Sequence, residues 1–127
     1  MGDYRQLLLW KRAHGFALKV YQSTRSFPDS ERFGLTSQLR RAAISIVSNI
    51  AEGSGRRADR DHTRFLNIAR GSVSEVECQL LLSRDVGYLK GDAWESLDGE
   101  CREIGSMLNG LIRALGKKKP TGPVTRD

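Results

Sequence analysis

Apolar residues recur along this chain at steps of three and four, and no stretch of useful length alternates between apolar and polar residues. That period is typical of amphipathic helices and not of strands. The first helix is predicted at about residues 4–25, and Pro28 and Gly34 interrupt the pattern after it. Its apolar stripe consists of Leu9, Ala13, Phe16 and Val20.

Three further helices follow from the same reasoning. The second is predicted from a cap near Thr36 to a glycine stop at Gly53. The third is predicted to begin at Asp59, as an N-cap, and to end by Gly87. The fourth is predicted to begin at Asp92, with a glutamate three residues later in the manner of a capping box, and to end at Gly116.

The fourth helix has the most regular pattern. Steps of three and four connect Trp94, Leu97, Cys101, Ile104, Leu108, Leu111 and Leu115. Four helices of roughly twenty residues with short links predict an all-α fold, an antiparallel up-down four-helix bundle. Residues 1–116 would form this single domain, and the basic Pro/Gly-rich segment 117–127 is predicted to be disordered.

The second helix has a wider apolar surface than one core requires. Leu39, Ala42, Ala43, Ile46 and Ile50 form the expected core stripe. A second apolar stripe lies beside it and consists of Ile44, Val47 and Ala51. Excess apolar surface on a small domain favours contact with another subunit, so these three residues are candidates for an oligomer interface.

A polar stripe runs along the remaining face of the second helix. It includes Gln38, Arg41, Ser45, Asn49 and Glu52, and the third helix would place Ser72 and Glu75 opposite. Two interpretations remain open: a hydrogen-bonded structural seam between the helices, or a ligand site. The seam predicts that Arg41 reaches Glu75 or the Ser72 hydroxyl, and that the neighbouring Gly71 permits close helix approach.

Charge is unevenly distributed. Residues 32–70 carry eight basic and three acidic side chains, a net charge of +5, whereas residues 71–103 carry three and eight, a net charge of −5. The candidate nucleic-acid-binding residues are Arg56, Arg57, Arg60, Arg64, Lys117, Lys118 and Lys119. They would bind phosphates without reading sequence, since no stacking aromatic residues are interleaved among them. The alternative is a solvated surface whose arginines are neutralised by Glu52, Asp59 and Asp61.

The sequence offers little catalytic or metal-binding chemistry. His14 and His62 are the only histidines, and neither lies in a metal-binding motif. The glycines do not form a phosphate-binding loop motif. We therefore expect no enzyme activity, catalytic residue, metal or cofactor. Cys78 and Cys101 are expected to be buried free thiols, which suits a reducing cytoplasmic setting. The apolar run before Trp10 is too short for a membrane span or a signal peptide.

Two long segments carry a family resemblance. They are FGLTSQLRRAAISIVSNIAEGSGR and FLNIARGSVSEVECQL, supported by LWKRAHGFALKVYQSTRSFP and DVGYL. Over residues 4–115 the chain resembles the four-helix bundle protein family, also called the 23S rRNA intervening-sequence protein or S23 ribosomal protein family. Val47 and Ala58 stand where the family often has proline and serine. Neither departure affects the expected fold.

The resemblance implies more about assembly than about chemistry. Relatives form five-fold rings of four-helix subunits, and some are encoded within insertions in bacterial 23S rRNA genes. A similar fold serves as the accessory variability determinant of diversity-generating retroelements, a basic pentamer that associates with a reverse transcriptase and nucleic acid. The family names no catalytic residues.

The sequence and the resemblance together give two hypotheses. The first is a non-enzymatic homopentameric scaffold that binds RNA or DNA non-specifically through a basic belt. The second is a protein–protein adaptor without a nucleic-acid role, with a partner such as a reverse transcriptase.

Overall fold

The computed structural model of the protein describes residues 3–4 and 7–117. Within these residues the chain forms four α-helices and no strand. The helices are α1 (Leu8–Thr24), α2 (Leu35–Ser54), α3 (Asp59–Asp85) and α4 (Gly91–Lys117), with a 3₁₀ turn at Asp29–Glu31 between α1 and α2. Lys117, the first residue of the predicted tail, is the last residue of α4. The rest of the predicted tail, including Lys118 and Lys119, lies outside the described residues.

The helices pack in a closed cycle. Each helix contacts the next along the chain, and α1 also contacts α4. Helices α1 and α3, like α2 and α4, therefore lie on the diagonals. The short connections make neighbouring helices antiparallel, and the predicted all-α four-helix bundle is confirmed.

The predicted apolar stripes form the core. Every residue of the α1 stripe and of the α2 core stripe is buried. On α4, Trp94 and Leu111 are partly buried, whereas Leu97, Cys101, Ile104, Leu108 and Leu115 are buried. Each fully buried Leu, Ile or Phe contributes about 1.5–3 kcal/mol relative to exposure, so these stripes are the main source of stability.

The helix starts differ from the predictions in their caps. Helix α1 starts at Leu8, about four residues later than predicted. Helix α3 does begin at Asp59, but Ala58 is its N-cap and offers no side-chain acceptor. Helix α4 begins at Gly91, so Asp92 lies inside the first turn and accepts a hydrogen bond from the Ala93 N–H at 2.9 Å.

Helix α2 begins at Leu35 and is capped from outside the helix. Thr36 is buried within the first turn, and the N-cap residue, Gly34, has no side chain to offer. The Glu31 carboxylate instead accepts the Leu35 N–H at 3.0 Å. Its other oxygen accepts the Tyr88 hydroxyl at 2.9 Å. These hydrogen bonds lower the pKa of Glu31, the bond from Leu35 having the larger effect.

We call this end of the bundle, residues 25–34 and 86–90, the capped end. Phe27 and Leu89 are buried there, and the Phe27 ring lies 5.3 Å from that of Tyr88. Gly87 has a φ of +91°, a conformation that side chains with a Cβ rarely adopt. The N–H groups of Tyr88 and Leu89 both donate to the Ser83 carbonyl, at 2.9 and 3.2 Å. At the capped end, the Glu31 carboxylate, the Tyr88 hydroxyl and the Ser83 carbonyl are therefore used for structure.

Close helix approach occurs at glycines other than the predicted one. A Cβ on Gly53 would lie 3.0 Å from the His62 ring and 3.1 Å from the Phe65 Cβ. A Cβ on Gly105 of α4 would lie 3.2 Å from Val73 on α3. Gly71 is exposed with open space around it, so the predicted approach there was wrong.

Candidate nucleic-acid interface

The opposite end of the bundle collects the predicted cationic residues, and we call it the basic end. Arg56 and Arg57 lie in the α2–α3 connection, and Arg60 and Arg64 lie in the first two turns of α3. Because α3 and α4 are antiparallel neighbours, the last turn of α4 reaches the same end and presents Lys117. Residues separated by more than fifty positions in sequence are thus brought together.

These arginines differ in how far acidic neighbours neutralise them. Arg56 forms an ion pair with Glu52 at 2.5 Å, as the solvated-surface interpretation expected. Among the described residues, Arg57, Arg60 and Arg64 form no ion pair, and none joins Asp59 or Asp61 to the cluster. All four arginines are exposed. Three of them therefore remain available to an anionic ligand.

One aromatic ring lies within the cluster. The Arg56 guanidinium lies 4.8 Å from the Phe65 ring centroid, and that of Arg64 lies 4.4 Å from it. Such cation–π contacts hold the guanidinium groups in place without neutralising their charge. The prediction that no stacking aromatic residue is interleaved among the arginines did not take account of this ring. Phe65 follows Arg64 directly in the sequence, which was the available signal.

A groove lies beside this cluster, between the first turns of α3 and the last turn of α4. Its volume is about 740 Å³. Ile68, which is 43% exposed, and the buried Leu115 supply apolar surface. The polar and charged residues that line the groove are Asp59, Arg60, Thr63, Arg64 and Asn67. Sequence reasoning missed this groove because its two walls come from distant segments.

The polar stripe of α2 meets α3 at fewer positions than predicted. The Ser72 hydroxyl donates to the Ser45 hydroxyl at 2.7 Å. The Asn49 amide donates to the same Ser45 oxygen at 3.1 Å and to the Ser45 carbonyl at 2.8 Å. This small network connects the two helices, and Ser45 is its centre.

The predicted contact of Arg41 with Ser72 or Glu75 is not formed. Arg41, Gln38 and Glu75 are exposed and line a shallow polar pocket of about 330 Å³. No hydrogen bond or ion pair of Arg41 exists within the described chain. Glu52, also assigned to the seam, is exposed and pairs with Arg56 instead.

The direction of side chains in helices explains this error of about one turn. Side chains lean toward the N-terminus of their own helix. In an antiparallel pair the two sets lean in opposite directions, so contacts shift away from the positions that are level along the backbone. Ser72 consequently meets Ser45, one turn after Arg41, and Arg41 extends into solvent.

The predicted interface residues are only partly exposed. Ile44 is 44% exposed, while Val47 and Ala51 are intermediate and Val47 packs against the core. A second apolar pocket lies at the capped end, where Leu35, Leu82 and Val86 are among its lining residues. Gln79 also lines this pocket, and its buried side-chain oxygen has no hydrogen-bond partner within the described residues.

Reactive groups are few in the part of the chain that the structure describes. No cluster of three or more histidine, cysteine or acidic residues there could hold a metal ion. Both cysteines are free, but Cys78 is exposed, which corrects the expectation that both are buried. Burial raises the pKa of the Cys101 thiol to about 12, so this thiol is unreactive at neutral pH. No described helix is long and apolar enough to cross a membrane.

Comparisons with known proteins agree on fold and family. The profile of the 23S rRNA-intervening sequence protein family matches residues 5–110. A crystal structure of a protein with unknown function from the S23 ribosomal protein family of Bacteroides thetaiotaomicron VPI-5482 is similar to this chain. The sequence identity is 25% and the TM-score is 0.76, over 84% of this chain and 99% of that one. No curated protein matches the chain.

Proposed function

This chain belongs to the 23S rRNA-intervening sequence protein family, and we propose that it is a non-enzymatic scaffold that binds RNA or DNA through the basic end of its bundle. The observation that carries this proposal is the convergence of Arg57, Arg60 and Arg64, none of them ion-paired within the described residues, with Lys117 at one end. Exposed cations without acidic partners are the groups that release counterions when they contact phosphates.

Such a surface binds the nucleic-acid backbone and reads little sequence. Phosphate contacts fix position and orientation, whereas base contacts are needed for specificity. A handful of cationic contacts gives non-specific dissociation constants of roughly 1–100 μM at physiological salt. In an oligomer each subunit would repeat the basic end, and affinity for a long strand would rise through multivalency.

Fluorescence anisotropy with a labelled RNA tests this proposal. We expect binding at about 50 mM salt that weakens steeply at about 200 mM. The double variant Arg57→Gln/Arg60→Gln should bind at least tenfold more weakly. Its slope of log affinity against log salt should fall by about two, because each removed phosphate contact lowers the slope by about one.

The matched control removes the same charge from the capped end. Arg25→Gln/Lys90→Gln changes two exposed cations that form no ion pair within the described residues. It should leave both affinity and slope near the wild-type values. Equal losses in the two variants would show that only net charge matters, and absence of binding at low salt would refute the proposal.

The same proposal includes a homopentameric ring. The five-fold number comes from the family resemblance, and the exposed Ile44 of α2 together with the opposite charges of residues 32–70 and 71–103 supports a head-to-tail contact. Light scattering should give a mass of about five chains. Ile44→Glu should lower that mass, whereas Leu18→Glu, a similarly exposed site on α1, should not. A wild-type mass near one chain would contradict the ring.

One observation favours the adaptor function as a second candidate. The apolar pocket at the capped end, lined by Leu35, Leu82 and Val86, offers a surface on which an apolar side chain of a protein partner can pack. The test is capture of a protein partner such as a reverse transcriptase at low and high salt. Equal capture at both salt concentrations, with binding abolished by Leu82→Asp, would favour this function over nucleic-acid binding. The proposed compartment is the cytosol, which the free thiols of Cys78 and Cys101 support.

A further inference from the structure

We infer that the groove between α3 and α4 at the basic end binds an unpaired nucleotide, so that the preferred ligand is single-stranded nucleic acid. This inference rests on the proposed function and adds a ligand class and a base-binding site to it. The observation behind it is an apolar surface placed directly beside unpaired arginines.

The composition of the groove exceeds what phosphate binding requires. A phosphate-binding surface needs cations and N–H donors only. Here Ile68, which is 43% exposed, and Leu115 of the last turn of α4 give the groove an apolar surface, and Arg60 and Arg64 line the same groove. Burying that surface against a flat, weakly hydrated base is favourable. A base within a duplex cannot reach it, since its faces are already stacked.

The groove has room for one nucleotide. The volume of about 740 Å³ lies within the range of roughly 300–1,000 Å³ of ordinary small-ligand sites. Arg64 is held 4.4 Å from the Phe65 centroid and also lines the groove. A guanidinium held in this way offers a planar cationic face on which a base can stack. Arg60 then remains for the adjoining phosphate.

The polar groups of the groove can bind base edges without demanding one base. The Asn67 oxygen accepts from Arg70 at 2.7 Å, which leaves the Asn67 amide N–H groups as donors. The Thr63 hydroxyl can donate or accept. The Asp59 carboxylate repels phosphate from its side of the groove, so it favours a base amino group there and the phosphate near the arginines. Mixed donors and acceptors predict tolerance of sequence.

The experiment compares strands that carry the same phosphates with and without bases. A labelled single-stranded 12-mer, its abasic counterpart and the 12-bp duplex are titrated at about 50 mM salt. We expect the normal strand to bind roughly tenfold more tightly than the abasic strand, as base stacking commonly contributes this much. Ile68→Ser should weaken binding of the normal strand about fivefold and leave the abasic strand and the duplex unaffected.

Leu81→Ser is the matched control. Leu81 lies on the same helix, is 42% exposed and does not line the groove. This variant should bind all three probes like the wild type. Circular dichroism melting verifies that both variants fold. The comparison of normal and abasic strands uses the wild-type protein and therefore does not depend on any variant.

The outcomes separate the two proposals. Equal binding of normal and abasic strands overturns the base-binding groove, yet leaves phosphate binding by the basic end intact. Equal effects of Ile68→Ser and Leu81→Ser on the normal strand also overturn it. Binding of none of the probes removes both the groove and the proposed function.

Discussion

The two ends of the bundle contain similar types of residue and use them in different ways. At the capped end, Glu31 caps α2 and binds Tyr88, and Phe27 is buried against the Tyr88 ring. At the basic end, Phe65 is only partly buried, and three of the four arginines have no acidic partner within the described residues. A polar or aromatic group whose partners lie within the fold contributes to stability. One without such partners is available for binding.

The aromatic residues of the two ends should show the largest difference. Phe27→Ala should lower the free energy of unfolding by about 3 kcal/mol, because it leaves a cavity at a buried site. Phe65→Ala should cost less, about 2 kcal/mol, since its side chain is only partly buried. Urea denaturation measures both values. Similar losses of unfolding free energy at the two positions would contradict the distinction between a structural end and a binding end of the bundle.

The glycines give the next largest effect. Gly53→Val should destabilise the protein by about 2 kcal/mol, because even a Cβ there is tight against His62 and Phe65 and a larger side chain must displace α3. Gly71→Ala should stabilise it by about 0.5–1 kcal/mol, since Gly71 is in mid-helix with open space around it. Thermal melting of the two variants provides the comparison. A stable Gly53→Val protein would show that α2 and α3 do not approach as closely as described at the basic end.

The capped end should also make stability depend on pH. The pKa of Glu31 is lowered in the folded protein, so its carboxylate stabilises the fold above the ordinary glutamate pKa. That contribution is lost as the pH falls from the ordinary value through the lowered one. Glu31→Gln should therefore reduce the loss of melting temperature on acidification. If the melting temperature of Glu31→Gln fell with pH as steeply as that of the wild type, other carboxylates would control the loss of stability in acid.

The smallest effect on stability is expected for the unpaired arginines. Arg57→Gln/Arg60→Gln should change the free energy of unfolding by less than about 0.5 kcal/mol, because exposed charges without partners contribute little to folding. The same variant is expected to bind nucleic acid at least tenfold more weakly than the wild type. A large destabilisation would mean that these residues have a structural role.

The helical pattern and the segments shared with the family largely determined the fold. The three-and-four spacing of apolar residues in α4 predicted which of its residues are buried, because a side chain's position around a helix follows from its sequence spacing alone. Helix ends were predicted less accurately, since Glu31 reaches across a turn to cap α2 and no local sequence motif indicates this contact.

Only the tertiary structure decided which side chains meet. The lean of side chains in antiparallel helices joined Ser45 to Ser72 and left Arg41 exposed. The packing of α3 against α4 brought Ile68 and Leu115 to one groove beside the basic cluster. Periodicity specifies which face of a helix is apolar, but the level at which two helices meet depends on the geometry of both. Sequence therefore determined the four-helix bundle, and packing determined the groove and the arginines that remain free to bind.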